Sequence, residues 1–591
     1  MARRLGIRLG ILAPVVLTFG AALPARGEVP KISRWVGNDA VIYVEAARPA
    51  ELLDQVTGVS FQKLLGTIPV YSRYIKSDDY QRGRQVLDLI AGQLDTTWDK
   101  GLRDLVGGGA VLAVEAGEGK APTIYLLVAP RDPAFLKRAN TTLLELARKD
   151  AAVKGNPDPV KSAEYRGFTG YASGEKGAYA IVQDVLVIAD RGDTVKMLVD
   201  RVVDGPKDGG SIVDDAGWKA RHAQVKPGGL AWGYARLERL RQLDAQKFSV
   251  PEKTKLPQTL FFGSWIEALR KGPWVAASLS WSDGRLAADV TLPAPAGGYG
   301  APYKGYVPPT GTTSAPLLNP PGTIASISLW RDLSALWETR ADLLAPEEVQ
   351  GLAQLDTVAG QFFGGRDFGA GVLGALQPHW RVVVAQQDYG AMKPAPDLKY
   401  PAVALVIDLK PDDDDFAQRL KVAFQSIAGL ANLNAAQSKA PPLELGSETF
   451  EGVTIATTRF MPSKDSPANG KEPVHYRHNY SPSAAQVDSH FIISSSLGLT
   501  RDLIKTLKAP AKPGQATLAL EADGGVLAGL LELNRNRIVM QNMLEKGNDK
   551  AQAEAEVGTL LSVLRYLGHG RLTVQDAADA LKVNLEFVLG R

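Results

Sequence analysis

Along this chain, short apolar runs with the period of a strand alternate with longer stretches whose apolar residues recur three and four apart, the period of a helix. Val41 to Val44 reads as a strand and Pro49 to Val56 as a helix. Strands follow at Ala110 to Glu115 and Thr123 to Val128, and the second leads through Pro130-Arg131-Asp132-Pro133 into a helix over Phe135 to Arg148. An aromatic-x-Gly-x-Thr step, Tyr165 to Thr169, comes next. A strand after Asp184 (Val185 to Ala189), a helix over Val195 to Val203 and a long strand at Ala288 to Leu292 close the series.

The same series is then written again. Ala325 to Leu329 opens it, Asp332 to Leu344 reads as helix, and Arg381 to Gln386 and Ala402 to Ile407 read as strands. Pro411 with Asp412 to Asp415 leads into a helix over Phe416 to Ile427. Phe450 to Thr454 repeats the aromatic-x-Gly-x-Thr step, His490 to Ser494 follows Asp488, and a helix over Arg501 to Leu507 precedes the strand Val583 to Leu589. Order kept over half a chain predicts an internal duplication. Strands in runs followed by single helices, with glycine turns such as Ser282-Asp283-Gly284, predict α+β: two tandem copies of a mainly antiparallel sheet with helices packed on one face.

Composition fits this division. The 591 residues exceed one ordinary core and suit two domains of about 270 residues each. With 45% hydrophobic residues, 22% charged and a net charge of +3, nucleic acid is not expected as a partner. The expected organisation is a signal peptide over 1–27, a first repeat domain over 28–300, a linker over 301–322 and a second repeat domain over 323–591. The linker reading rests on six prolines, from Pro302 to Pro321, that favour an extended connector. Within the second copy, 462–482 reads as an inserted loop where the first copy has only a short turn near Gly174 to Gly177.

The N-terminus points to export. Arg3, Arg4 and Arg8 precede an apolar stretch, Leu9 to Leu23, and Ala25-Arg26-Gly27 offers small residues for cleavage before Glu28. The apolar stretch is shorter than the roughly 20 residues of a spanning helix. Sec-type export to the periplasm or beyond is therefore expected, with no stable membrane span after signal cleavage. The chain has no cysteine, which removes disulfides, thiolate metal sites, cysteine nucleophiles and a lipidated cysteine, and suits a bacterial envelope.

Chemistry is sparsely written. The inserted loop holds His475 and His478, two of six histidines, with Asp488 and His490 shortly after. Two imidazoles and a carboxylate suit zinc or a similar ion, yet no helix spaces these residues onto one face, and solvated loop histidines account for the same pattern. Ser60-Phe61-Gln62-Lys63 has the spacing of a serine activated by lysine, but the companion elements of such enzymes are absent and Phe61, Leu64 and Leu65 read as the buried side of a helix. Asp412 to Asp415 could attract calcium, but stabilisation of a helix N-terminus explains the run. Gly107-Gly108-Gly109 precedes a strand and reads as a turn. Trp218, Trp232, Trp265, Trp274 and Trp281 could form a stacking surface; for Trp232 and Trp281, strand-like alternation favours the core. No cofactor is expected.

The run Asn38 to Glu45, the step Leu105 to Ala110 and the strand after Asp184 resemble a family of uncharacterised exported bacterial proteins of planctomycete type. The resemblance implies export and repeat architecture and no assigned activity. The expected function is an exported, non-enzymatic binding or scaffold protein of the envelope, its partner an envelope protein or a ligand. A metal-dependent hydrolase around His475 to His490, or a carrier holding an apolar molecule between sheet and helices, are the alternatives.

Overall fold

The computed structural model describes residues 29–590, except 59–60, 63–64, 67–70, 72–73, 117–120, 156–157, 159, 174–176, 207–209, 226–228, 393–394, 412–414, 438–441, 461–475, 511–512 and 515. The signal-peptide reading, the Ser60 and Lys63 pair and most of the acidic run from Asp412 lie outside the described residues. The chain forms two compact units: the residues up to Ser249 with Pro273–Val290, and Val250–Gly272 with Thr291–Arg591.

The first unit is built on β1 (Ala40–Ala46), β2 (Gly109–Glu115), β3 (Thr123–Ala129), β4 (Val160–Tyr165), β5 (Phe168–Ser173), β6 (Ala178–Val182), β7 (Val185–Ala189), β8 (Gly229–Ala235) and β9 (Val275–Ser282). Its antiparallel order is β4-β5-β6-β7-β3-β2-β1-β8-β9. β10 (Arg285–Pro293) pairs with β9 and straddles the boundary between the units. The second unit uses β11 (Thr323–Trp330), β12 (Leu376–Ala385), β13 (Ala402–Leu409), β14 (Leu443–Phe450), β15 (Val453–Phe460), β16 (Ser483–Val487), β17 (His490–Ser494), β18 (Leu518–Asp523), β19 (His569–Asp576) and β20 (Ala580–Val588). Its antiparallel order is β14-β15-β16-β17-β13-β12-β11-β18-β19-β20. Counted from the first strand of each unit, the two orders coincide.

The predicted α+β class with antiparallel sheets is what the chain adopts. The helices cover both sheet faces, where one was expected. Val111, Ala113, Leu127 and Val187 pack with Val195 and Leu198 of helix Gly192–Asp204 on one face, while Ala110, Leu126 and Val128 pack with Leu53 and Val106 of helices Pro49–Thr57 and Trp98–Val106 on the other. The second unit does likewise, with Val383, Val406 and Ile492 against Leu499 and Leu503, and Ile407, Leu409 and Phe491 against Phe416 and Leu420. The cause is visible in runs such as Ile124 to Val128, which are apolar at consecutive positions and so need cover on both sides.

The repeated aromatic-x-Gly-x-Thr step is a two-residue hairpin turn. Arg166 and Gly167 have φ of 49° and 84°, and Glu451 and Gly452 have 48° and 78°, the left-handed pair that matches strand twist and suits glycine at its second place.

Residues 301–322 are packed into the second unit. Tyr306 is fully buried, Tyr303 and Leu318 nearly so, and the Ser326 and Ser328 hydroxyls donate to the Leu318 and Ala315 carbonyls. The segment opens with a short 3-10 turn, Ala301–Tyr303, and its aromatic residues supply core. Helix Leu256–Lys271, placed by sequence in the first domain, also belongs to the second unit: the Arg331 guanidinium donates to its Leu260 and Phe261 carbonyls, and its Ser264 hydroxyl donates to Asp576. No helix among the described residues is long and apolar enough to cross a membrane.

Candidate functional site

The site in the second unit is built on β12, β13 and β17, three neighbouring strands. Arg381 stands opposite Val406, and Asp408, two residues further along β13, stands opposite His490. Alternation along a strand puts Arg381, Asp408 and His490 on the face of Val383, Val406 and Ile492. Two charges and an imidazole thus take places in a layer whose other strand positions are apolar or serine, such as Ser328 opposite Arg381.

Arg381 is 3% exposed and Asp408 6%. Asp408 accepts a hydrogen bond from Arg381 Nη2, and its Oδ1 lies 2.7 Å from His490 Nδ1. Burial pushes the Asp408 carboxyl up, but the bond from His490 and the Arg381 charge outweigh it and hold the group below the usual carboxylate range. An ionised carboxylate can only accept, so the Asp408–His490 bond puts the proton on His490 Nδ1, while Arg381 Nη2, a donor 3.0 Å from that nitrogen, directs its hydrogen to Asp408. His490 Nε2 is therefore the free nitrogen, on a side chain 27% exposed. Beside them, burial pushes His379 below the ordinary histidine range, and its Nδ1, like Arg381 Nε, is buried without a hydrogen-bond partner.

A carboxylate that orients an imidazole is the arrangement that activates a nucleophile in hydrolases, which requires a hydroxyl or thiol about 3 Å from the free nitrogen. Among the described residues no hydroxyl is hydrogen-bonded to Nε2. The arrangement can make one hydrogen bond at Nε2, on the side chain that is partly exposed, with the Arg381–Asp408 pair buried behind it.

Of the four residues expected to bind a metal, the structure brings His490 to Asp408 and separates the rest. His478 lies in the turn Tyr476–Asn479, whose Asn479 is bonded to Leu398 and Tyr400, at the opposite end of β13 from Asp408. From Ala402 to Asp408 the strand alone spans six residue steps, roughly 20 Å. Asp488 sits in the turn between β16 and β17 with φ 48°. His475 lies outside the described residues. No group of three or more His, Cys, Asp or Glu that could hold a metal occurs among the described residues. His478 and His490 lie apart because β16 runs between them, from the Asn479 end of β13 toward the Asp408 end.

In sequence, Arg381 and Asp408 read as parts of ordinary strands. The signal was present, since Arg381-Val382-Val383-Val384-Ala385 and Val406-Ile407-Asp408 put a charge in line with core positions.

The first unit lacks the cluster. Ala189 precedes helix Gly192–Asp204 as Ser494 precedes helix Leu497–Lys508, and each pairs across to β3 or β13 at Tyr125 or Ala404. Counting from there, Val111, Ala129 and Val185 match Arg381, Asp408 and His490, and all three are buried in the apolar core. Over Val111 the first unit carries more: Glu45 stands opposite it, lies 2.7 Å from His222 Nε2, and His222 stacks on Trp218 at 4.4 Å. Trp218 and Trp232 are core residues here, as the alternation at Trp232 predicts. In the second unit Ser328 stands opposite Arg381, and no helix is found among the described residues between helix Leu497–Lys508 and β18.

The first unit has its own buried ion pair, at the other end of the layer. Arg201 holds Glu115 with a two-pronged contact of 2.6 and 2.9 Å, and Tyr125 and the Gly37 amide donate to the same carboxylate. Ala385 and Ala404 stand at the matching places in the second unit.

No protein-family model and no curated protein matches the chain. Among solved structures, crystal form I of TP0453 aligns with a TM-score of 0.23 at 15% identity, over 44% of this chain and 76% of that one. Crystal form IV of TP0453 gives 0.22 at 12% identity, over 44% and 78%. At that level neither architecture nor function carries over.

Proposed function

We propose that the chain is an exported, non-enzymatic binding protein of the bacterial envelope, and that the Arg381–Asp408–His490 cluster is where its second unit meets a partner. Its two units would descend from one duplicated domain, akin to the planctomycete-type exported proteins that the sequence resembles. The basic, apolar and small-residue order of the N-terminus supports Sec export to the periplasm or beyond. The matching strand orders support the duplication.

The observation that carries the binding reading is the contrast between the two layers. At the three matching places the first unit has the uncharged core residues Val111, Ala129 and Val185, and its own buried carboxylates, Glu45 and Glu115, stand elsewhere in the layer, so the fold does not ask for charge where Arg381, Asp408 and His490 stand. Burying charge is costly, and a cost that packing does not require points to recognition.

The test immobilises the mature protein, exposes it to an envelope extract, and compares it with the triple variant Arg381→Met, Asp408→Val, His490→Leu, whose side chains keep similar volume. The expected result is a partner retained by the unmodified chain and lost from the folded variant. Equal retention by both would sink the cluster as the contact. Recovery of the protein from cytoplasm with residues 1–27 attached would sink the export reading.

A further inference from the structure

A cavity of ≈ 160 Å³ lies in the first unit between the β4–β5 hairpin and helix Gly192–Asp204. Its floor is made of small side chains, Ala163, Gly170, Ala172, Ala178 and Ala180, and aromatic rings of Tyr165 and Phe168 close one end. Lys161, Lys196 and Glu164 also line it. Thr169 donates to Glu164, and Lys196 lies 3.4 Å from Asp193 and 6.0 Å from the Tyr165 ring centre.

The matching place in the second unit is filled. Counted from the hairpin turn, Ala163 pairs with Gly170 in the first unit and Glu448 with Ile455 in the second. Ile455 is fully buried. The buried positions Thr194, Val195, Leu198 and Val199 of one helix match Leu499, Thr500, Leu503 and Ile504 of the other, which sets Lys196 against Arg501. Arg501 is clamped onto Glu448 at 2.7 and 2.6 Å, whereas Lys196 faces an alanine strand position. Two differences therefore open the first unit: glycine in place of isoleucine, and alanine in place of the glutamate that ties down the helix cation.

Nothing in the backbone forces the glycine. Gly170 has no left-handed φ, and a Cβ placed on it would meet only the Ala163 carbonyl oxygen at 3.7 Å, an ordinary contact. A larger residue would fit and would fill apolar space, so the void persists where packing alone favours closing it.

We infer that this cavity binds a small ligand of one aromatic ring bearing an anionic group, its ring on Gly170 beside the Tyr165–Phe168 pair and its charge toward Lys161 and Lys196. The volume sets the size: apolar cavities of roughly 150 Å³ admit benzene, and drug-sized ligands occupy roughly 300 Å³ or more. The site is independent of the cluster in the second unit.

Titration of the full mature protein with benzoate and with toluene, followed by calorimetry and by NMR of the Tyr165 and Phe168 rings, tests this. Benzoate is expected to bind saturably, toluene more weakly, and Gly170→Ile to weaken benzoate by about tenfold or more while raising the melting temperature. Ala163→Val narrows the cavity from the facing strand and serves if the first variant does not fold; the same loss is expected. Absence of saturable benzoate binding overturns the inference, as does binding that survives both substitutions. Toluene binding with no benzoate binding overturns the anionic part and leaves a purely apolar cavity.

Discussion

At the scale of single residues, Asp408 is a buried carboxylate kept ionised by His490 and Arg381 against the pull of burial. Its removal alone leaves Arg381 buried with a charge unmatched, so Asp408→Ala is expected to cost about 3 to 5 kcal/mol in urea unfolding. The same cluster sets a pH dependence. Burial lowers the His379 pKa, so as pH falls below about 6.5 the unfolded chain takes up a proton that the folded chain refuses, and stability drops. The Asp408 carboxyl is also lowered, so a second loss follows as pH falls below about 3.8, the range in which the unfolded carboxyl is protonated. His379→Gln is expected to flatten the first step and leave the second, read from urea midpoints between pH 7 and pH 3. A midpoint that falls equally in both proteins near pH 6 would assign the step elsewhere. Sequence gave His490 as a candidate and not its partners, because Asp408 and Arg381 lie 82 and 109 residues away and only strand register brings them to it.

At the scale of elements, starts and turns were legible and packing was not. The acidic entry to helix Pro133–Val153 is a cap, with Asp132 accepting from the Phe135 amide at 3.0 Å and Pro133 in the first turn. Asp132→Ala is expected to cost about 1 kcal/mol in the urea midpoint; no change would mean water serves the amide equally well. The hairpin glycines at 167 and 452 were likewise visible as a repeated step, since the reason for them is local. Helix Leu256–Lys271 shows the opposite case. Gly263 lies within it, and alanine in a helix interior ordinarily stabilises by about 0.5 to 1 kcal/mol. Here a Cβ would come within 2.4 Å of the Tyr306 ring, which is itself fully buried and donates to the Thr259 carbonyl at 2.6 Å. The sign should reverse, and Gly263→Ala is expected to destabilise by about 1 to 3 kcal/mol. Stabilisation instead would show that Tyr306, and with it the proline-rich segment 301–322, is not packed as described. In that segment prolines and glycines report backbone shape, while its place in the core is decided by tyrosines whose partners lie elsewhere in the chain.

At the scale of the whole molecule, two units with the same strand order spend their buried polar groups differently. The first places Glu115, Tyr125 and Arg201 at one end of its layer; the second leaves alanines at the two matching strand positions and places Arg381, Asp408 and His490 at the other end. The repeated order of landmarks was legible because each depends on neighbours in sequence. The differences between the two layers were not, since they appear only when one sheet is laid on the other, rung by rung. The central claim is that the second unit's cluster serves recognition and not folding. The unfolding free energy of Arg381→Met, Asp408→Val, His490→Leu, measured beside Asp408→Ala, tests it most directly. The triple variant is expected to stay within about 1 kcal/mol of the unmodified protein or exceed it, while the single variant falls well below. A triple variant that loses as much as the single one would show that the fold needs the cluster, and would contradict the account.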